Sequence, residues 1–157
     1  MRVINVSVDL DIDVADGLAS AHYVPDEDKL RAWAQSACLR DERFEASLKI
    51  VDSDESRQLN SDYRDTDKPT NVLSFPMQLP EEIEPRLLGD LAVCAEVVAQ
   101  EAAEQSKTEE AHWAHMIVHG MLHLQGYDHI DEPEAEEMES LEIDILGKLG
   151  FPNPYEN

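Results

Sequence analysis

Along the chain, apolar residues first alternate with polar ones and later recur every three or four positions. Residues 3–10, VINVSVDL, place Ile4, Val6, Val8 and Leu10 on one face, which predicts a half-buried strand. Pro25 and Asp26 open a helix whose apolar positions Leu30, Trp33, Ala34, Ala37 and Cys38 keep the helical period. Ala46, Leu48 and Ile50 alternate as a second strand, after which Asp52 or Ser53 caps a short helix reaching about Tyr63. The segment 70-TNVLSFP-76 predicts a third strand stopped by Pro76. Past a loop rich in Pro and Glu, 88-LGDLAVCAE-96 predicts a fourth strand running into a helix through Ala103. Ser106 with Glu109 has the spacing of a capping box and starts a helix that carries His119 and His123. A last helix, about 133–148, buries Met138, Leu141, Ile145, Leu146 and Leu149, with the acidic positions of 131–144 as its solvated face.

Strands and helices alternate early and helices accumulate late. That order predicts an α+β fold: a small mixed sheet of about four strands covered by helices, with the histidine-bearing helix central. The 157 residues read as a single domain over 1–157, without repeat or linker. No stretch approaches the roughly 18–20 apolar residues of a membrane span. MRVINVSVDLDID alternates and then turns acidic, unlike a signal peptide. Cys38 and Cys94 form neither a disulfide framework nor a C-x-x-C pair, and are expected as buried apolar side chains in a cytoplasmic setting. The formal charge of −23 changes the picture most. Such a chain repels nucleic acid and anionic membranes at long range, so a polyanionic substrate needs a metal, a local basic spot or a basic partner.

The chemistry concentrates in 119-HGMLHLQGYDH-129, which has the ligand spacing of the zinc protease motif H-E-x-x-H-x-x-G-x-x-H. Residues four apart on a helix share a face, so His119 and His123 can grip one ion. Gly126 can reverse the chain just past the helix and swing His129 toward the other two. Three neutral imidazoles leave one corner of a tetrahedral zinc open, as in catalytic rather than structural sites. Asp128 is placed to accept from a ligand N–H. His112 and His115 lie on the same stripe two turns and one turn earlier and read as packing or outer-shell residues; His22 has no such context. Gly120 stands where a protease carries its glutamate base. Zinc alone still lowers the pKa of bound water from about 15.7 to roughly 7. A three-histidine site also keeps the full charge of the ion, which suits a phosphodiester better than an amide.

These residues are similar to the signature H-G-x-L-H-L-x-G-Y-D-H of the YbeY family, bacterial metal-dependent endoribonucleases of ribosomal RNA maturation. The segments 59-LNSDYRDTDKPTNVLSFP-76 and 88-LGDLAVC-94 resemble two further blocks of that family, while residues 1–45 match only in general character. The resemblance implies that His119, His123 and His129 bind one Zn²⁺, with His119 and Arg64 as catalytic residues. It also implies single-strand-specific cleavage in 16S ribosomal RNA 3′-end maturation and ribosome quality control. The implied partners are ribosomal RNA and the small ribosomal subunit, with a basic ribosomal protein or an assembly GTPase, and neither DNA nor membrane. A guanidinium at position 64 can hold two phosphate oxygens and meet the charge of the transition state. Read alone, Arg64 would be a surface ion pair with Asp62, Asp65 or Asp67. Asn71, Ser74 and Asp90 are expected to shape the cleft.

Lys and Arg number 12 against 35 acids, which sits badly with direct RNA binding. Arg40, Arg43, Lys49, Arg57, Arg64 and Lys68 can form one basic rim, although nine acids share that segment. The alternative is that acidity suppresses promiscuous RNA contact and favours basic proteins that present the RNA. Two rival functions remain from the sequence: a metalloprotease-like zinc hydrolase, and a non-catalytic ribosome assembly factor with a structural zinc.

Overall fold

The computed structural model describes residues 7–39, 43–77 and 86–156. The elements, in chain order, are β1 (Ser7–Val14), α1 (Leu18–Ala21), α2 (Glu27–Ser36), β2 (Arg43–Val51), α3 (Ser53–Arg64), β3 (Val72–Pro76), β4 (Arg86–Cys94), α4 (Ala95–Glu104), α5 (Glu109–Leu124) and α6 (Glu132–Lys148). The four strands form one mixed sheet in the order β1-β2-β4-β3. β1, β2 and β4 are parallel, and β3 returns antiparallel along β4 as an edge. This is the expected α+β class, and the proline- and glutamate-rich loop, 78–85, lies outside the described residues.

β1 extends further than its sequence suggested. Ile4 and Val6 lie outside the described residues, but Val8, Leu10, Ile12 and Val14 share the core face as far as residue 14. The alternating Asp9, Asp11 and Asp13 point to the open side of the sheet, so the acidic turn in composition is one solvated face of a strand. In β4 the register to β2 slips between Glu45 and Ala46. At that point Gly89 has φ 131°, and a Cβ there would lie 2.2 Å from the Phe75 carbonyl oxygen. The bulge lets Leu88 and Leu91, three positions apart, both enter the core.

Helix α5 crosses this core face and is buried nearly all round, with Trp113, Ile117 and Met121 fully inside the core cluster that also holds Phe44, Leu48, Leu88 and Leu91. Each such side chain contributes roughly 1.5–3 kcal/mol by leaving water. α2, α4 and α6 pack around α5. Its N-cap is Thr108, whose side chain accepts from Ala111 N at 3.1 Å, not Ser106. Ser106 sits at φ 56° in the turn closing α4, and Lys107 N donates to Ala102 O at 2.9 Å. The two polar candidates are two residues apart, and the end of the preceding helix claims the first. Asp52 caps α3, accepting from Glu55 N at 2.8 Å. Cys38 and Cys94 are buried and unpaired, and burial pushes the Cys38 thiol up to about 12. Among the described residues, no helix is long and apolar enough to cross a membrane.

Candidate metal centre

The last turns of α5 project His119 and His123 from one face. Beyond Leu124 the helix is closed by two bonds, Gly126 N to His123 O at 3.0 Å and Tyr127 N to Leu122 O at 3.1 Å. This closure needs a left-handed residue, and Gly126 supplies it at φ 104° with open space around its Cα. Gln125 pins the turn: its amide donates to Ala37 O at 2.7 Å and accepts from Leu39 N at 3.1 Å. His129 is thereby carried back, its ring centroid 5.7 Å from that of His119 and 5.2 Å from that of His123. One ring nitrogen from each of the three histidines lies within 4.8 Å of the others. His119 Nε2 and His123 Nε2 are 3.1 Å apart. Zinc–nitrogen bonds of about 2.0–2.1 Å require about 3.3 Å between ligand nitrogens on a tetrahedron, so the donor set fits a divalent ion.

Behind His119 stands a carboxylate that the sequence reading placed on the solvated face of the last helix. Glu142 of α6 is fully buried. Its Oε1 accepts from His119 Nδ1 at 2.6 Å and from His115 Nε2 at 3.2 Å, and its Oε2 accepts from the Tyr155 hydroxyl. Burial opposes ionisation of Glu142, but hydrogen bonds from His115, His119 and Tyr155 outweigh it and hold the carboxyl at about 2. Burial and the neighbouring Glu142 together push the Tyr155 hydroxyl upward, so it stays a donor. With its proton assigned to Nδ1 by this network, His119 turns Nε2 toward His123. His115, His119 and Glu142 also form a compact triplet, but the 2.6 Å contact inside it is a hydrogen bond, too short for two ligands of one ion. Asp128, expected as an outer acceptor, instead accepts from His129 N at 2.8 Å and lies 4.0 Å from His123 Nδ1. Burial, then the charges of His119 and His129, lower the pKa of His123 and favour the neutral, ligating form.

His112 performs a parallel task two turns earlier on the same helix. Its Nε2 meets Glu101 Oε1 at 2.9 Å, and Glu101 accepts from Asn71 Nδ2 at 3.0 Å. Asn71 Oδ1 in turn accepts from Val72 N at 2.6 Å, so the chain fixes the start of β3. Burial lowers the pKa of His112, and Glu101 only partly offsets it. The unfolded chain therefore binds this proton more readily than the folded one. Unfolding free energy should be fullest above the ordinary histidine value of about 6.5 and fall as pH drops below it toward the lowered folded value. Denaturant titrations of wild type and His112→Gln between pH 7.5 and pH 5 test this, and the variant should lose part of the slope.

Arg64 reaches the same cleft from the opposite wall. The cleft, about 620 Å³, is lined by Arg64, Asn71, Ser74, His119, His123 and His129 among others. α3 stops at Arg64 because Asp65 takes a left-handed conformation, φ 57°. Buried Ser56 and Asn60 hold the following loop, through Thr70 at 3.0 Å and Lys68 O at 2.8 Å. The guanidinium donates from Nη2 to Ser74 O at 3.4 Å. Its sequence neighbours are turned elsewhere: Asp62 accepts from Gln58 and Asp67 pairs with Arg57. Asp90 is not in the cleft; the bulge puts it on the open face of the sheet, bonded to Ser47. Among the described residues the basic rim does not assemble either. Lys49 pairs with Glu55 over the other face of the sheet, while Arg40 and the side chain of Arg43 lie outside the described residues.

The outward edge of β3 is partly occupied. Residues 71 and 77 bond inward to β4, through Cys94 N to Asn71 O and Met77 N to Leu88 O, which turns the backbone of 72, 74 and 76 outward. There Val72 N is taken by Asn71, Ser74 O by Arg64, and Pro76 has no N–H. Gly120 faces the sheet rather than the cleft: a Cβ on it would lie 2.8 Å from Leu91 Cδ2.

Comparison with known proteins bears on the chain as a whole. A family model described as Endoribonuclease YbeY matches residues 20–150. The solution structure of TM1509 from Thermotoga maritima is similar over 94% of this chain and 99% of its own, with 25% identity and a TM-score of 0.52. With the family match running through every helix that frames the histidines and Arg64, the chain belongs to the YbeY endoribonuclease family.

Proposed function

We propose that this protein is a zinc-dependent, single-strand-specific endoribonuclease. Its expected task is 16S ribosomal RNA 3′-end maturation and ribosome quality control in the cytoplasm, carried out by one domain over 1–157. The observation that carries the reading is the cleft itself, where Arg64 faces three converging imidazoles whose outward side is open. His119, His123 and His129 would hold one Zn²⁺, which when bound supplies Lewis acidity and a water activated near neutral pH. Arg64 binds two oxygens of the scissile phosphate and neutralises charge that builds on them. A long hydrogen bond to Ser74 O directs the guanidinium toward the cleft, which reduces the reorganisation left for the transition state. A partly occupied β3 edge and a sheet-facing Gly120 disfavour the protease alternative, because an extended peptide finds an incomplete row of backbone groups to pair with.

The net charge of −23 favours RNA delivered on a small ribosomal subunit, through a basic ribosomal protein or an assembly GTPase, over capture of bare RNA. The deciding experiment offers zinc-loaded protein a single-stranded RNA, the matching duplex and an unstructured polypeptide. Cleavage of the single strand, abolished by chelator, with the polypeptide left whole is the expected pattern. Polypeptide cleavage beside intact RNA would overturn it.

A further inference from the structure

The tail that follows α6 does more than end the fold. Gly150, at φ 92°, closes the helix with Phe151 N bonded to Leu146 O at 2.9 Å, and the chain turns back along α5. It is held at successive points. Phe151 packs edge-on against Trp33 at 5.9 Å, and Lys107 Nζ donates to Pro154 O at 2.6 Å. Tyr155 N is turned by Asn153 Oδ1 at 2.8 Å. The Tyr155 ring then stands edge-on to His115 at 5.4 Å and passes its hydroxyl inward to Glu142 Oε2, although 45% of the residue stays exposed. Glu142 in turn holds His119 Nδ1. On this rear side His119 and His129 border a cavity of about 320 Å³, shared with Met138, Glu142 and Tyr155. Packing alone therefore does not fix the His119 ring from behind; the hydrogen-bonded carboxylate does.

We propose that residues 150–156 form a strap that positions the metal centre, with Tyr155 orienting Glu142 and Glu142 orienting His119. This rests on the reading of His119, His123 and His129 as metal ligands. Both Tyr155 and Glu142 are positioning residues, since neither reaches the cleft. A histidine ligand keeps its orientation and its proton on the far nitrogen only while that nitrogen has an acceptor. Here the acceptor's second oxygen is buried with the strap's hydroxyl as its donor, so loss of that hydroxyl leaves the carboxylate held through Oε1 alone, shared by His119 and His115, and able to tilt about it.

The test is zinc affinity of the full chain, measured by competition with a chromophoric chelator, together with nitrogen-15 shifts of His119 in zinc-free protein. Glu142→Gln should weaken zinc by about 10- to 100-fold, the usual cost of an outer-shell partner. Tyr155→Phe, which removes one oxygen from an exposed ring, should weaken it by up to about tenfold, one charge-assisted hydrogen bond. In both, the His119 shifts should move from a single Nδ1–H form to a mixture of tautomers, which a role in folding alone would not produce. Should Glu142→Gln fail to fold, Tyr155→Phe decides. Variants that fold, bind zinc as wild type does and keep a single tautomer overturn the strap and leave the metal reading standing. Wild-type protein that takes up no zinc overturns both.

Discussion

His123→Ala is expected to leave the chain folded, without bound metal and without ribonuclease activity. The fold should survive because His123 sits near the end of α5 with a fifth of its side chain exposed, and it meets His119 and Asp128, both at the site. Alanine is also the better helix former. The metal should not survive. Two imidazoles remain, one on the helix and one on the returning loop, and they no longer enclose an ion on one side. Losing an outer-shell partner costs about 10- to 100-fold in affinity, and removing a direct ligand should exceed that range. Metal content after dialysis should fall from one equivalent to background, with RNA cleavage falling in parallel. One retained equivalent of zinc with undiminished cleavage would mean that the ion sits elsewhere.

Most of this site was legible because local chemistry dictates it. The i, i+4 histidines and the glycine needed at φ 104° are features of a single helix end, independent of what packs around it. The four strands were legible for the same reason, since alternation is local. What stayed hidden depended on neighbours. Asp90 stands in a matched block, yet a bulge at Gly89, visible only once β4 pairs with β2 and β3, turns it to the far side of the sheet. Glu142 left one overlooked trace: it follows Met138 by four and precedes Ile145 by three, which puts a carboxylate on the buried stripe of α6. An acid on an apolar stripe is expensive unless paired, and counting it with the exposed acids of 131–144 concealed the partner of His119.

Gly120 shows how one residue carries two arguments. From the sequence it is a missing base, which weakens an amide-cleaving mechanism. In the fold it lets α5 pack directly on the sheet, against Leu91 and Val72. A larger side chain would have to displace Leu91 or push the helix away with His119 and His123, so the glycine helps to set the depth of the proposed metal centre. The two accounts are compatible, because a side chain here would point at β4 and not at a substrate in the cleft.

Arg64→Ala should separate catalysis from metal binding more cleanly than any histidine change. Arg64 is exposed, closes α3 without contributing to the core, and touches none of the histidines, so zinc content and thermal stability should stay near wild type. Turnover should fall by about 10²- to 10³-fold, the range for removing one preorganised donor from a developing charge, equivalent to about 2.7–4 kcal/mol. Arg64→Lys should recover only a small part. An ammonium brings the charge but not the planar fork that spans two phosphate oxygens while still donating to Ser74 O. The comparison discriminates between mechanisms. If charge alone mattered, lysine would restore most of the rate; if Arg64 only anchored the end of α3 to β3, alanine would lower the melting temperature and leave cleavage per folded molecule unchanged. Single-turnover cleavage by the three proteins at equal zinc occupancy distinguishes these cases, and a rate within threefold of wild type for alanine would remove Arg64 from the reaction.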